Sequence, residues 1–166
     1  VAECSLREFA STSSLDLVVV RPTLVYGPNS PGNLSFLKQL IDIGLPLPVK
    51  GVFNKRSFLY LDNLLDALHF LSLHPSSSGH SFLISDSEIV STAGLSATIC
   101  SLRDSRSMFF SLHPLLVRSL SCSRAFSRFY DKLTCDLVVD TTKLVNQFHW
   151  VQPFSQAEGL TRSFSI

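Results

Sequence analysis

The sequence predicts an α/β fold with a parallel sheet, and three observations predict it. A valine-rich run at Leu17–Val20 has the continuous apolar character of a strand that is buried on both faces. A loop-forming segment at 27–33, with two glycines and two prolines, follows this strand. An amphipathic helix is predicted just before the strand, at Val1–Ala10. Open α/β sheets bind ligands at the carboxyl ends of their strands, so function is expected at this loop.

Helices and short strands alternate after the loop. A helix is predicted at Leu34–Ile43, with Asn33 as its N-cap and Gly44 beyond its end. The proline-broken segment Leu45–Gly51 is predicted to be extended, with backbone groups free to meet a ligand. A strand at Ser57–Leu61 leads into a helix capped by Asp62 or Asn63. The residues of that helix that are expected to face inward are Leu64, Leu65, Ala67, Leu68 and Leu71.

The remaining elements are predicted from their caps and apolar patterns. In chain order they are strands at His80–Ser85 and Glu88–Val90, a helix from Ser91 or Thr92 through Cys100, a helix at Pro114–Leu120, a short strand or extended segment at Leu137–Val139, and a helix at Thr141–Phe148 capped by Asp140. Ser155 and Glu158 have the spacing of a capping box that opens a last helix.

Composition excludes several classes of function. Charged residues make up 16% of the chain and the formal net charge is +1, so no nucleic-acid partner is expected. No apolar run reaches the roughly 18–20 residues of a membrane span and no signal pattern opens the chain, so a soluble, cytoplasmic protein is expected. The dispersed cysteines and histidines predict neither a disulfide scaffold nor a metal site. The chain starts at Val1 and its one methionine is Met108, which suggests a truncated beginning.

Motifs for self-contained catalysis are absent from the sequence. It has no GxGxxG or GxxxxGK pattern, and no tyrosine is followed four residues later by lysine. A nucleotide cradle and a Tyr/Lys acid–base pair one helical turn apart therefore cannot be built from these residues. The residues that could meet a phosphate are Arg21, Asn33, Lys55 and Arg56, although each alone is more typical of a solvated or structural position.

A set of short motifs, in order, carries a family resemblance. They are RPTLVYGP at 21–28, GN at 32–33, GLPLPVKG at 44–51, RSFLYLDNLLDAL at 56–68, VVDTTK at 138–143, and FHWVQP followed by SQAEGL at 148–160. Together they resemble the C-terminal half of the extended short-chain dehydrogenase/reductase family, the NAD-dependent nucleotide-sugar epimerases, dehydratases and C4-reductases. The resemblance implies the last part of a Rossmann-like, doubly wound NAD-binding domain at 1–31 and a small mixed α/β nucleotide-sugar-binding region at 32–166.

The resemblance also implies residue roles. The nicotinamide of NAD or NADP would lie beside Pro22, Thr23 and Val25. The diphosphate of the substrate would be reached by Asn33, and a phosphate would pair with Arg56. The uracil ring would be held through the backbone groups of Leu47, Pro48, Val49 and Lys50. The family's Gly-rich cofactor loop and its Tyr-x-x-x-Lys pair lie upstream of Val1. The chain is therefore expected to hold no catalytic residue, to supply substrate recognition, and to be inactive alone.

One departure from the family concerns His149, which stands where the family has a glycine at a helix end. Glycine adopts a positive φ at less cost than histidine, so local destabilisation is expected there.

The activity that the resemblance implies is epimerisation at C4 of a UDP-hexose or UDP-N-acetylhexosamine, slightly ahead of reduction of a UDP-4-keto-sugar. The alternatives are a stand-alone sugar-nucleotide binder and the inert, truncated product of a broken gene. A homodimer is implied for the full-length enzyme, through a helix bundle that includes the helix ending near Ala10.

Overall fold

The computed structural model describes residues 2–29, 33–111, 130–131 and 134–165. In chain order the elements are α1 (Ala2–Thr12), β1 (Val19–Pro22), β2 (Leu24–Tyr26), α2 (Asn33–Asp42), β3 (Arg56–Tyr60), α3 (Leu61–Leu73), β4 (Ser81–Ile84), β5 (Ile89–Val90), α4 (Thr92–Leu102), a π-helical turn at Lys143–Gln147, and α5 (Gln156–Phe164).

The strands form two small sheets. In the first, β1 pairs in parallel with β4, so that Val20 lies opposite Phe82. In the second, β2 pairs in parallel with β3, and β5 pairs antiparallel to β3. Thr23 alone separates β1 from β2, so one extended segment passes from the first sheet to the second. The α/β class of the prediction is confirmed, with parallel pairing in both sheets.

Two apolar cores lie on opposite faces of the second sheet. Side chains alternate along a strand, so Phe58 and Tyr60 of β3 enter one core while Leu59 enters the other. The first core joins β2 and β3 to α2, α4 and α5, and its buried members include Leu34, Ile41, Val49, Leu95, Ile99 and Leu160. The second core lies under α3 and the π-helical turn, and it includes Ala67, Leu71, Phe82, Ile84, Leu144 and Trp150.

The first helix and strand are less buried than the sequence predicts. α1 is present, yet it contains no buried residue, and Leu6 and Phe9 are 48% and 61% exposed. The strand begins at Val19, and its valines are only half-buried. The prediction of burial on both faces is therefore wrong for β1. The physical reason is that Val20 packs against the second core, whereas α1, which is tied to β1 by an ion pair between Glu3 and Arg21, buries none of its residues.

The third helix departs from its prediction in its cap and its inward face. Tyr60 is the N-cap and makes no side-chain capping bond, so neither Asp62 nor Asn63 has that role. Ala67 and Leu71 are buried as predicted, whereas Leu65 and Leu68 are 55% and 42% exposed. The apolar stripe of α3 is therefore narrower than the leucine-rich sequence indicates.

The caps of the later helices follow the sequence closely. Ser91 caps α4, its hydroxyl accepting from the Gly94 N–H at 3.0 Å. Ser155 and Glu158 form the predicted capping box at the start of α5, with both reciprocal bonds present.

One later segment differs from its prediction and another agrees with it. Asp140 accepts from the Thr142 N–H at 2.8 Å, but the helix after it is a single π-helical turn. The predicted extended segment Leu137–Val139 makes one isolated bridge, between Leu137 and Arg56. The helix predicted at Pro114–Leu120 lies outside the described residues, as do positions 30–32, where the predicted domain boundary falls.

Candidate functional site

A cleft of about 370 Å³ opens between α2, the segment after it, the second sheet and α4. The described residues that line it are Leu24, Leu34, Phe36, Leu37, Leu40, Leu45, Pro46, Leu47, Pro48, Val49, Arg56, Phe58, Thr92 and Leu95. All of them except Arg56 and Thr92 are apolar. A mostly apolar cleft with few polar groups is typical of small-molecule sites, where the polar groups fix the orientation of the ligand.

The end of α2 sets the direction of one cleft wall. Gly44 has a φ of +70°, and its N–H donates to the Ile41 carbonyl at 3.0 Å. The Leu45 N–H donates to the Leu40 carbonyl at 2.9 Å, which completes a Schellman motif. The predicted glycine stop is thus confirmed, and it turns the chain back so that residues 45–49 cover the cleft.

The backbone of this wall is less free than the sequence predicts. The Leu47 N–H donates to the Met108 carbonyl at 2.8 Å, and the Leu47 carbonyl accepts from Phe110 at 3.0 Å. The Lys50 N–H donates to the Phe110 carbonyl at 3.1 Å. The prediction that the backbone groups of this segment stay open for a ligand is wrong for Leu47 and Lys50, because residues 108–110 pair with them as a strand would. Val49 is 1% exposed, and its N–H has no hydrogen-bond partner among the described residues.

Arg56 lies at the first position of β3 and lines the cleft beside Thr92. The edge that holds both residues is fixed by Asn54, whose Oδ1 accepts from the Thr92 N–H at 2.8 Å and whose Nδ2 donates to the Thr92 hydroxyl at 3.0 Å. Asn54 and Thr92 are both 6% exposed. Sequence reasoning missed Asn54 entirely and considered Thr92 only as a helix cap, because nothing local in the sequence pairs residues 38 positions apart.

One predicted substrate-binding residue, among those whose side chains the structure describes, does not line the cleft. Lys50 is exposed and is not among the lining residues. Asn33 begins α2, immediately before the lining residue Leu34, but its side chain is outside what the structure describes. The cleft therefore collects Leu47, Pro48, Val49 and Arg56, and the roles assigned to all six residues remain predictions.

The three residues predicted to meet the cofactor lie at the crossing between the two sheets. Pro22 is exposed at the carboxyl end of β1, while the Val25 side chain packs against the second core. Thr23 is held by its N–H, which donates to the Ile84 carbonyl at 3.0 Å. Its hydroxyl oxygen is buried and has no hydrogen-bond partner among the described residues. A proline face and an unpaired hydroxyl fit the ring and carboxamide of a nicotinamide, but they offer nothing for the phosphates of NAD.

A buried carboxylate, Asp86, lies at the carboxyl ends of β2 and β3. It is 2% exposed, and it accepts from the Asn63 Nδ2 at 2.7 Å, the Tyr60 N–H at 3.0 Å and the Tyr26 hydroxyl at 3.2 Å. Burial raises the pKa of Asp86, and the charge of Glu88 adds to the increase, while the three hydrogen bonds oppose it. Sequence reasoning did not single out this residue, because an aspartate in a polar loop is usually solvated.

No group of three or more His, Cys, Asp or Glu side chains within the described residues could hold a metal ion. Over the same residues, no helix is both long and apolar enough to cross a membrane.

Comparison with known proteins gives one match of high coverage in sequence. The chain is 31% identical over 169 residues to the UDP-glucose 4-epimerase of Vibrio cholerae, a match that covers 98% of this chain and 50% of that protein. No family model matches the chain. The chain thus spans about half the length of this relative.

Solved structures give the same half-length match in fold. The UDP-glucose 4-epimerase of Thermotoga maritima, solved with UDP-glucose, has a TM-score of 0.68 at 18% identity, covering 98% of this chain and 49% of that one. The UDP-glucuronic acid 4-epimerase of Bacillus cereus, solved with NAD, has a TM-score of 0.71 at 15% identity, covering 98% and 48%. The predicted resemblance to NAD-dependent nucleotide-sugar epimerases and dehydratases is confirmed, as is the Rossmann-like fold.

Proposed function

We propose that this chain is the C-terminal, substrate-binding portion of an NAD-dependent nucleotide-sugar epimerase that acts at C4 of a UDP-sugar. The observation that carries the proposal is the cleft, which gathers four of the five residues that the family resemblance assigns to the substrate and whose side chains the structure describes. The relative that matches along the whole chain is a UDP-glucose 4-epimerase, which favours epimerisation over reduction of a 4-keto-sugar.

Arg56 is the proposed anchor for the diphosphate. Its planar guanidinium can donate two parallel hydrogen bonds to phosphate oxygens, which lysine cannot do. The lining around it is apolar, and charges interact more strongly where water is excluded. Asn33 at the start of α2 is proposed to reach the same diphosphate, because the amino end of a helix favours negative charge.

The wall made by residues 47–49 is proposed to hold the uracil ring. Leu47 and Val49 are 3% and 1% exposed and give the ring an apolar surface. The Val49 N–H is a donor with no partner among the described residues, so it can bind a carbonyl oxygen at the ring edge. The pairing of Leu47 with residues 108–110 holds this wall in place, whereas Lys50 would act only from outside the cleft.

NAD, when bound, supplies reversible hydride transfer to and from the sugar. We propose that Pro22, Thr23 and Val25 form one side of the nicotinamide pocket, with the Thr23 hydroxyl as its polar group. The acid–base tyrosine and its lysine are assigned to the half of the relatives that this chain does not match, so the chain alone is expected to be inactive. The exposed Leu6 and Phe9 of α1 support a dimer of the full enzyme through this helix.

Calorimetric titration with UDP tests the proposal. The purified chain is expected to bind UDP, and Arg56→Ala to weaken binding by about tenfold to a hundredfold, the usual worth of a lost hydrogen bond to a charged group. Arg56→Lys should fall between the two, because it keeps the charge and loses the paired geometry.

Arg7→Ala is the matched control, since it removes one positive charge from the exposed α1. It should leave the affinity for UDP unchanged. A chain that is folded by circular dichroism and yet gives no binding heat would contradict the proposal. Equal weakening by Arg7→Ala and Arg56→Ala would contradict it as well, because binding would then follow net charge rather than the cleft.

A further inference from the structure

The hydrogen bonds around Asp86 can be completed in two ways. As a carboxylate, Asp86 accepts from Asn63, the Tyr60 N–H and the Tyr26 hydroxyl. As a neutral acid, it could instead donate its proton to the Tyr26 oxygen while still accepting from the other two. The Tyr26 hydroxyl would then turn to its second acceptor, the Gln156 carbonyl, which lies 3.4 Å away.

The two arrangements carry opposing costs. The ionised form leaves a buried negative charge with no Lys or Arg hydrogen-bonded to it among the described residues, and such burial is expensive. The neutral form avoids that cost and keeps every donor and acceptor paired. Because all hydrogen bonds are made in both the ionised and the neutral form of Asp86, a change of pH can switch the cluster from one form to the other.

The titratable groups around Asp86 come from each element that packs against it. β2 contributes Tyr26, β3 contributes Tyr60, and the loop before β5 contributes Glu88. The hydroxyl of Tyr60 faces Asp62 of α3 and Arg162 of α5. Burial and the nearby Asp86 raise the pKa of Tyr26 far enough that its phenol stays protonated and remains a donor in both states.

We propose that Asp86 and Tyr26 form a proton-operated latch, in which protonation of Asp86 turns the Tyr26 hydroxyl from Asp86 to the first turn of α5. One O–H bond forms at Asp86 with a proton from solvent, and the Tyr26 hydrogen bond moves from Oδ2 of Asp86 to the Gln156 carbonyl. Tyr26 follows the cleft residue Leu24 on the same face of β2, so the latch ties α5 to the strand that forms the cleft floor.

The sign of the pH dependence follows from the raised pKa of Asp86. A group whose pKa is higher in the folded state makes its full contribution to stability when the pH is below the pKa of that group in the unfolded chain. For aspartate this unfolded-state pKa is about 3.9. That contribution is lost as the pH rises through the folded value. The latch therefore binds α5 more tightly on the acid side of this window.

Carbon-13 NMR of the labelled chain tests the latch. The Asp86 carboxyl should titrate with a midpoint above about 3.9, and the Gln156 carbonyl shift should follow with the same midpoint. In Tyr26→Phe, which keeps the ring and removes the hydroxyl, the Gln156 carbonyl should no longer respond to this titration.

Glu88→Gln is a second test of the latch that does not require Tyr26→Phe to fold. Removing the exposed charge of Glu88 should lower the Asp86 midpoint, and the Gln156 midpoint should move down by the same amount. An Asp86 midpoint at or below about 3.9 would overturn the proposal. A Gln156 carbonyl that stays constant while Asp86 titrates would also overturn it.

Discussion

The part of the chain around the cleft and the part formed by α1 and β1 differ in how much apolar surface they bury. Around the cleft, Ile41 and Ile99 are fully buried and Leu95 is 3% exposed. In α1, Leu6 and Phe9 keep about half or more of their surface in solvent. Both parts have amphipathic sequences, so sequence pattern alone does not separate them.

The difference shows which part of the chain builds its own core. Burial of apolar surface is the main favourable contribution to folding, at roughly 25 cal/mol per Å². The cleft region collects that contribution from α2, α4, α5 and the second sheet. α1 is joined to the sheets mainly by polar contacts, such as the ion pair between Arg21 and Glu3 and the bond from Arg7 to Ser81. The stability of this chain should therefore depend on the cleft region.

The largest expected effect comes from truncating the core beside the cleft. Ile41→Ala should lower the free energy of unfolding by about 2–5 kcal/mol, the usual cost of a cavity at a fully buried aliphatic side chain. Leu6→Ala, the matched control on α1, should change it by no more than about 0.5 kcal/mol. Urea denaturation followed by circular dichroism measures both. Equal losses would show that α1 is packed as firmly as α2.

A smaller effect is expected where α5 meets the two tyrosines at the strand ends. A Cβ at Gly159 would lie 2.7 Å from the Tyr26 hydroxyl oxygen and 2.8 Å from Cγ of Tyr60. Gly159→Ala should therefore destabilise the chain by about 1–3 kcal/mol through overpacking. Gly94→Ala in α4 meets only the Ser91 hydroxyl, at 3.2 Å, and should be close to neutral. Thermal unfolding measures the stability of both variants. If Gly159→Ala left the stability unchanged, α5 would be able to move away from the sheet.

The smallest expected effect concerns His149. Its φ is +58°, so the left-handed conformation expected from the family's glycine is present. His149→Gly should stabilise the chain by up to about 1 kcal/mol. The substitution relieves the backbone strain of a non-glycine residue at positive φ, and this gain is larger than the cost of glycine's greater freedom in the unfolded state. A loss of stability in the same urea titration would show that the exposed histidine makes a stabilising contact.

The elements that the sequence predicted correctly are those fixed by neighbouring residues. Gly44 ends α2 and the Ser155–Glu158 box opens α5, because a cap depends on residues within one turn. The strands β1, β3, β4 and β5 also follow from local apolar pattern, whereas β2 at Leu24–Tyr26 was not predicted. The short motifs, through their resemblance to the epimerase and dehydratase family, predicted that Leu47–Val49 and Arg56 bind the substrate, and these residues line the cleft.

The features that the sequence did not predict depend on distant partners. Residues 108–110 occupy the backbone of Leu47 and Lys50, and no pattern in either segment specifies that pairing. Leu65 and Leu68 fit the periodicity of a buried face, yet they are 55% and 42% exposed. Asp86 looks like a solvated loop residue until β2, β3 and α3 bring three donors to it.

A two-dimensional ¹⁵N NMR titration of the chain with UDP tests most directly whether the cleft is the nucleotide-sugar site. We expect the amide signals of Val49, Arg56 and Leu34 to shift with a single binding constant, and those of Leu6 and Phe9 in α1 to stay in place. Shifts confined to α1, or spread evenly over both parts of the chain, would contradict the assignment of the cleft as the nucleotide-sugar site.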